Sequence, residues 1–170
     1  MKPFKGQYLG AALRSFVRAL QQSEAVVRQI LRNHGLERID EDQWYDLNTA
    51  RSIYYTVGAQ VGERSLHGVG LQMIGAAQFP PGIDDIKAVL TSLDAAYRMN
   101  CRGPEIGAIT CDFEGDHTAV VVFATPFPCA LSRGILQGCA KKFAADALIE
   151  HSHDGCVDRG DPNCCFHVDW

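Results

Sequence analysis

The sequence has few of the features that mark an exported, membrane-bound or nucleic-acid-binding protein. Its first six residues, 1–6, carry charge but no apolar stretch of the kind that a signal peptide needs. The longest apolar run, Ala119 to Ala124, has the length of a strand and falls far short of the ~18 residues of a membrane span. Net charge is −4 and the 16 Lys and Arg residues are scattered. We therefore expect a cytoplasmic protein without a membrane or nucleic-acid partner.

Nucleotide-binding and hydrolase motifs are also missing. The chain contains neither Gly-x₄-Gly-Lys-Ser/Thr nor Gly-x-Ser-x-Gly. Gly68, Gly70 and Gly75 have the wrong last interval for a dinucleotide fingerprint. Asp84 and Asp85 stand at a predicted helix start, where carboxylates favour the helix dipole, so capping explains them better than acid–base chemistry. No pattern in the sequence predicts an enzyme active site.

Cysteine is absent from the first hundred residues and abundant after them. The chain has seven cysteines, an odd number, and three of them lie between Cys156 and Cys165. Without an export signal, free thiols or metal ligands are favoured over disulfides. Cys101, Cys111 and Cys139 are expected to be small buried residues, because free cysteine packs as a small apolar side chain.

The apolar pattern divides one domain, residues 1–170, into two halves. Residues 1–100 carry apolar side chains at helical spacing, with helices predicted over 64–77 and 84–99. In residues 101–170 apolar and polar side chains instead alternate, as they do in strands. We expect the first half to be mainly helical and the second half to hold a sheet and a metal site.

In the second half, two strands and a turn precede a single helix. Strands are predicted over 106–113 and 118–124, joined by a Glu-Gly-Asp turn. A helix follows from Cys129 to about Ala145, and alternation over 164–170 indicates a half-buried strand. Helices first and strands later predict an α+β fold, with N-terminal helices packed on a C-terminal antiparallel sheet that has one inserted helix.

The strongest chemical pattern is a group of thiols and imidazoles near the C-terminus. His153 and Cys156 are three residues apart, so that one turn can present both side chains to the same ion. A Gly-Asp-Pro-Asn turn can then bring Cys164 back towards Cys156. Cys129 begins a predicted helix, where the dipole favours a thiolate. We predict a tetrahedral structural zinc site made by Cys129, His153, Cys156 and Cys164. His151 competes with His153 as a ligand, and the pattern does not separate zinc from iron.

The C-terminal part resembles a known family. Residues 126–138, Pro-Phe-Pro-Cys-Ala-Leu-Ser-Arg-Gly-Ile-Leu-Gln-Gly, and the series His-x₂-Cys-x₃-Gly-x₃-Cys-x-Phe-x-Val from His153 resemble the 4-vinyl-reductase-like domain family. That family includes aromatic-compound sensors and proteins of bacteriochlorophyll synthesis. Its sensors hold zinc by a Cys at the helix start, an acidic residue and two Cys eight apart. The resemblance places Cys129, Cys156 and Cys164 at the thiol positions and His153 at the acidic one, and it covers about the last 70 residues.

This family is similar in fold to heme nitric-oxide/oxygen-binding domains and to certain transport-particle subunits. Residues 93–97 resemble the helix that carries the proximal heme histidine in nitric-oxide sensors, with Tyr97 in the histidine position. The Tyr-x-Ser-x-Arg heme-propionate motif is replaced by Phe-Ala-Thr-Pro-Phe over 123–127. Although tyrosine can ligate heme iron, we expect no heme.

The resemblance implies a sensory or regulatory domain that binds an apolar small molecule and signals through a homodimer or a separate partner protein. An enzyme or enzyme accessory of the 4-vinyl reductase type, acting on a tetrapyrrole, is one alternative. An assembly or scaffold subunit is another. Candidate pocket residues are aromatic or carry a thioether: they are Trp44, Tyr54, Met73, Tyr97, Phe113 and Phe123.

Overall fold

In the computed structural model, helices pack against antiparallel sheets. The structure describes residues 4–77, 79, 81–143 and 146–170. The helices are α1 Gly10–Leu13, α2 Ser15–Ala19, α3 Glu24–Asn33, α4 Leu47–Val61, α5 Glu63–Ala76, α6 Ile86–Asn100 and α7 Cys129–Phe143. The strands are β1 Gln7–Leu9, β2 Trp44–Asp46, β3 Cys101–Arg102, β4 Ala108–Phe113, β5 Thr118–Ala124, β6 Leu148–His151 and β7 Cys164–Asp169. The predicted α+β class is confirmed. The predicted end of the last helix, Ala145, lies outside the described residues.

Acidic side chains fix where two of the longer helices begin. The Asp46 carboxylate accepts hydrogen bonds from the backbone N–H groups of Asn48 and Thr49 at 2.9 and 3.2 Å. Asp85 accepts one from the N–H of Ala88 at 2.7 Å. Such caps satisfy N–H groups that have no partner within the helix, and each contributes about 1 kcal/mol. They start α4 and α6, both of which pack their apolar sides inward.

A four-stranded antiparallel sheet in the order β4-β5-β7-β6 forms the base of the C-terminal half. Along β7, buried and half-buried residues alternate, so every second side chain faces the core. The register places Cys164 opposite Phe123 and His151 opposite Phe166. Helices α6 and α7 contribute to the same core cluster as the inner face of this sheet.

A second, three-stranded sheet in the order β2-β1-β3 joins the N-terminal segment to the end of α6. Its strands have two or three residues each. Runs this short show no alternation, so the sequence did not predict them.

Two glycines let α5 and α7 cross at very short range. A Cβ atom at Gly70 would lie 2.5 Å from the carbonyl oxygen of Leu131, and one at Gly134 would lie 2.1 Å from the carbonyl oxygen of His67. Real Cβ atoms do not approach backbone atoms this closely, so the crossing requires glycine at both positions. The backbone of α7 is therefore held directly against α5.

No helix in the described part of the chain combines the length and apolar character that crossing a membrane requires.

Candidate metal centre and apolar cavities

Three thiols and one imidazole meet where α7 begins. Cys129 is the first residue of α7, His151 the last of β6 and Cys164 the first of β7, while Cys156 lies in the connection between those strands. One donor atom from each residue lies within 4.8 Å of the other three. The sulfurs of Cys156 and Cys164 are 3.9 Å apart, close to the edge of about 3.8 Å in a tetrahedron with Zn–S bonds of about 2.3 Å. The cluster has donors and spacing that a tetrahedral metal ion can use.

His151 presents a buried ring nitrogen to this cluster. Its ring packs edge-to-face on Phe166, with 4.8 Å between ring centroids. Its Nδ1 is 2.5 Å from the carbonyl oxygen of Ser152, a contact in which Nδ1–H donates and Nε2 keeps its lone pair. Nε2 has no hydrogen-bond partner of good geometry among the described residues. A buried, unpaired polar atom costs about 1–3 kcal/mol, and a metal ion at the cluster would remove that cost.

The structure places His153, the predicted imidazole ligand, outside this group of four. His153 is exposed in the turn that follows β6. His151 belongs to β6 and is in phase with Ile149, which faces the core. Side chains two residues apart on a strand share a face. The spacing of Ile149 and His151 is therefore the sequence pattern that favours His151 as the inward-facing histidine. Cys129, Cys156 and Cys164 are the three predicted ligands that come together.

Backbone and carboxylate groups around the cluster orient its thiols. The N–H of Val157 points at the sulfur of Cys164 at 3.4 Å. The Asp158 carboxylate accepts a hydrogen bond from the N–H of Cys129 at 3.1 Å and so caps α7. Burial, followed by the nearby Asp158 charge, raises the pKa of the Tyr55 phenol on α4 to about 12. Asp158 thus lies between α4 and the start of α7.

One of the thiols is predisposed to ionise. A hydrogen bond from the Cys129 thiol lowers the pKa of Cys164 to about 5, and the N–H of Val157 adds to this effect. The same hydrogen bond raises the pKa of Cys129. Thiolate is the form of cysteine that binds metals.

All seven cysteines are free thiols. Of the three that were expected to be buried core residues, Cys101 and Cys139 are buried, while Cys111 is half-buried. These three lie outside the thiol–imidazole cluster.

An apolar cavity of about 140 Å³ lies between α5, α6, α7 and the large sheet. We call it the inner cavity. Its lining residues include Met73, Leu93, Tyr97, Phe123, Phe127 and Leu131. Met73, Tyr97 and Phe123 were predicted from the sequence, whereas Phe127 and Leu131 were not.

The other predicted pocket residues lie elsewhere. Tyr54 is fully buried behind the cavity, with its ring centroid 6.1 Å from that of Tyr8. Trp44 lies in β2, and the Arg102 guanidinium stacks 4.0 Å from its ring centroid. Phe113 is 41% exposed and packs near the last residue of the chain, Trp170. These three aromatic side chains serve the core or the surface of the fold.

The polar groups of the inner cavity are neutral. Burial raises the pKa of both Tyr8 and Tyr97 well above the ordinary range of a phenol. The Tyr97 hydroxyl donates to the carbonyl oxygen of Ile106 at 2.5 Å. None of the described residues that line this cavity carries a charged side chain. An occupant that is uncharged and largely apolar would leave no charge unpaired here.

A second cavity, of about 440 Å³, adjoins the first and is called the outer cavity. It lies between α1–α2, α5 and α6. The two cavities share wall residues, among them Met73, Leu93 and Ala96. No pattern in the sequence predicted a site on the α1–α2 side.

The fold is that of a heme nitric-oxide/oxygen-binding (H-NOX) domain. No protein-family model and no curated protein matches the sequence. The chain is similar to an H-NOX protein from S. oneidensis in its Fe(II)NO state, with a TM-score of 0.70 and 16% identity over 95% of this chain and 98% of that one. An oxygen-binding H-NOX domain related to soluble guanylate cyclases, in its oxygen complex, gives a TM-score of 0.65 and 16% identity over 94% and 91%.

A further similar structure comes from work on heme redox potential and porphyrin distortion, with a TM-score of 0.68 and 17% identity over 95% of this chain and 94% of that one. At such identities the similarity establishes the fold. The finer resemblance to the 4-vinyl-reductase-like family is not shown by these structures.

These structures contradict the prediction that no heme binds. That prediction rested on the replacement of the proximal histidine by Tyr97 and on the missing Tyr-x-Ser-x-Arg motif. Solved proteins that share the fold over nearly the whole chain include heme proteins. Tyr97, which stands in the place of the proximal histidine, lines the inner cavity, and tyrosine is a residue type that can ligate heme iron.

Proposed function

We propose that this chain is a small-molecule-binding sensory domain in which the inner cavity receives the ligand and a Cys₃His zinc site fixes one wall of that cavity. The position of Cys129 carries the proposal. Cys129 belongs to the thiol–imidazole cluster, and Phe127 and Leu131, two residues to either side of it, line the inner cavity. The H-NOX fold over nearly the whole chain supports the sensory role.

In this proposal the zinc is structural, and Cys129, His151, Cys156 and Cys164 hold it. Four protein ligands close the coordination shell and leave no open position for catalysis. The ion would link α7, β6 and β7, so its binding energy would contribute to the folding of the C-terminal elements. Residues 1–170 would then behave as one domain.

The inner cavity suits a small neutral molecule. Apolar cavities of about 150 Å³ can hold a molecule the size of benzene, and the inner cavity has about 140 Å³. A single-ring aromatic compound without charge is therefore the first candidate ligand.

Heme is the second candidate, favoured by the fold. Because a porphyrin is much larger than benzene, the inner cavity would have to open well beyond its 140 Å³ to admit it. Tyr97 and Met73 line the cavity and are of residue types that bind heme iron. When bound, heme would supply an iron centre for a diatomic gas. Tyr97 would have to lose its proton to hold the iron as a phenolate, against the burial that raises its pKa.

A pair of titrations on the purified chain tests the proposal. Hemin is followed by its absorbance and toluene by calorimetry, in the wild type, in Tyr97→Phe and in the control Tyr54→Phe. Hemin binding that saturates at one molecule per chain, and that is abolished by Tyr97→Phe but kept in Tyr54→Phe, would support heme as the ligand. Toluene binding that persists in both variants would support the neutral aromatic ligand. Binding of neither compound, by a protein that melts cooperatively, would defeat the sensory proposal.

The signal would leave through a second copy of the chain or a separate cytoplasmic partner protein. Size-exclusion chromatography with light scattering, run with and without the bound ligand, tests the first route. A ligand-dependent change from monomer to dimer supports a homodimer, and an unchanged monomer supports a separate partner.

A further inference from the structure

The outer cavity differs from the inner one in size and in chemistry. Its lining combines small side chains of α5 and α6, including Ala76, Ala95 and Ala96, with Ala12 and Arg18 of α1 and α2. Its volume of about 440 Å³ falls within the range of roughly 300–1,000 Å³ typical of small-molecule sites. We propose that it binds an elongated apolar molecule that ends in a single carboxylate.

The charge that borders this cavity supports an anionic ligand. Among the described residues that line it, Arg18 alone carries a charged side chain. Its Nη2 donates to Oε1 of Glu41 at 2.9 Å, and Nη1 of Arg14 donates to the same oxygen at 2.8 Å. Because one carboxylate is shared by two guanidinium groups, positive charge is left over beside the cavity. Arg14 does not line the cavity, so Arg18 is the group that presents this charge to a ligand.

Several other polar side chains of the wall already donate to nearby backbone groups. The hydroxyl of Ser15 donates to a carbonyl oxygen at 2.6 Å and that of Ser92 to another at 2.8 Å. The side-chain amide of Asn100 donates to a carbonyl oxygen at 2.9 Å. Gln72 also lines the cavity, but its amide is neutral. Arg18 therefore supplies the charge that a carboxylate needs, and a guanidinium can meet a carboxylate with two parallel hydrogen bonds.

The remaining wall suits a hydrocarbon chain. Apart from Arg18 and the neutral polar side chains already named, the lining is apolar, and it shares Met73, Leu93 and Ala96 with the inner cavity. Each buried methylene adds about 0.8 kcal/mol to affinity, or roughly fourfold. Affinity should therefore rise with chain length until the cavity is filled. This site needs neither the metal nor an occupant of the inner cavity, so it stands independently of the proposed function.

The decisive experiment compares an acid with an alcohol of equal chain length, decanoate and decanol, by isothermal titration calorimetry on the full chain. The wild type should bind decanoate more tightly than decanol by about fivefold, the strength expected of a half-exposed charge pair. Arg18→Gln should remove that preference and leave decanol binding unchanged. Arg14→Gln, which leaves Glu41 to Arg18 alone, should reduce the preference. The matched control is Arg28→Gln, whose guanidinium pairs with Glu24 and does not line the cavity, and it should keep the preference.

Two further measurements complete the test. Octanoate should bind about fourfold more weakly for each missing methylene, and Ala96→Phe, at an exposed position on α6, should abolish decanoate binding without lowering the melting temperature. Equal affinity for acid and alcohol in the wild type would overturn the proposal, as would an equal effect of Arg28→Gln and Arg18→Gln. Failure to bind either probe would also overturn it, while toluene or hemin binding in Arg18→Gln would show that the inner cavity is intact.

Discussion

His151 and His153 are two residues apart, and the end of a strand between them decides which imidazole reaches the thiols. His151 ends β6 with a buried Nε2, while His153 lies exposed in the following turn. His151→Ala should lower zinc affinity by at least tenfold, because loss of a ligand opens the coordination shell. His153→Ala should bind zinc as the wild type does. Competition with a colorimetric chelator measures both, and a larger loss in His153→Ala would contradict the assignment.

Tyr54 gives the protein a dependence on alkaline pH. Burial raises the pKa of this phenol to about 12, from an unfolded value near 10. Below pH 10 both states are protonated and the contribution of Tyr54 is fully present. Between pH 10 and 12 the unfolded chain loses the proton first, so the free energy of unfolding should fall by on the order of 2 kcal/mol. Urea unfolding at pH 9 and pH 11 measures the fall, and Tyr54→Phe should reduce it.

At the scale of elements, the crossing of α5 and α7 depends on glycine. Gly70→Ala should destabilise the protein by about 1–3 kcal/mol, as overpacking does, because the new methyl would meet the backbone of α7. A Cβ atom at Gly68, on the same helix, would meet no packed neighbour within 4 Å among the described residues. Gly68→Ala should therefore stabilise by about 0.5–1 kcal/mol through helix propensity alone. Thermal melts of the two variants compare them directly, and equal melting temperatures would refute the close crossing.

Long elements could be predicted from the sequence because they repeat a pattern several times. The returning strand of the hairpin and α7 begin where the sequence indicated, at Thr118 and Cys129. Strands β1 to β3 could not be predicted, since two or three residues show no period. The inner cavity was only half predicted, because Tyr8 and Phe127 meet across the fold and neither carries a local pattern. The spacing selected the three thiols that lie together in the structure, whereas placing His151 beside them required the observed end of β6.

For the whole molecule, the metal site should determine how stable the C-terminal half is. Cys164→Ser should lose zinc and lower the melting temperature by several degrees, because zinc binding and folding are coupled. Cys165→Ser is the matched control: Cys165 is the next residue, half-buried on the opposite face of β7, and should keep both zinc and stability. A chelator should destabilise Cys165→Ser and the wild type but not Cys164→Ser. Equal metal content in the two variants would count against the site.

Helix α7 starts at a thiol of the cluster and, within its first turn, forms part of the wall of the inner cavity. Any agent that strips the ion or oxidises these sulfurs would release the wall at its fixed end. Responsiveness to the small molecule would then rise and fall with the zinc supply and the redox state of the cell, so that one helix would report on both as well as on its ligand.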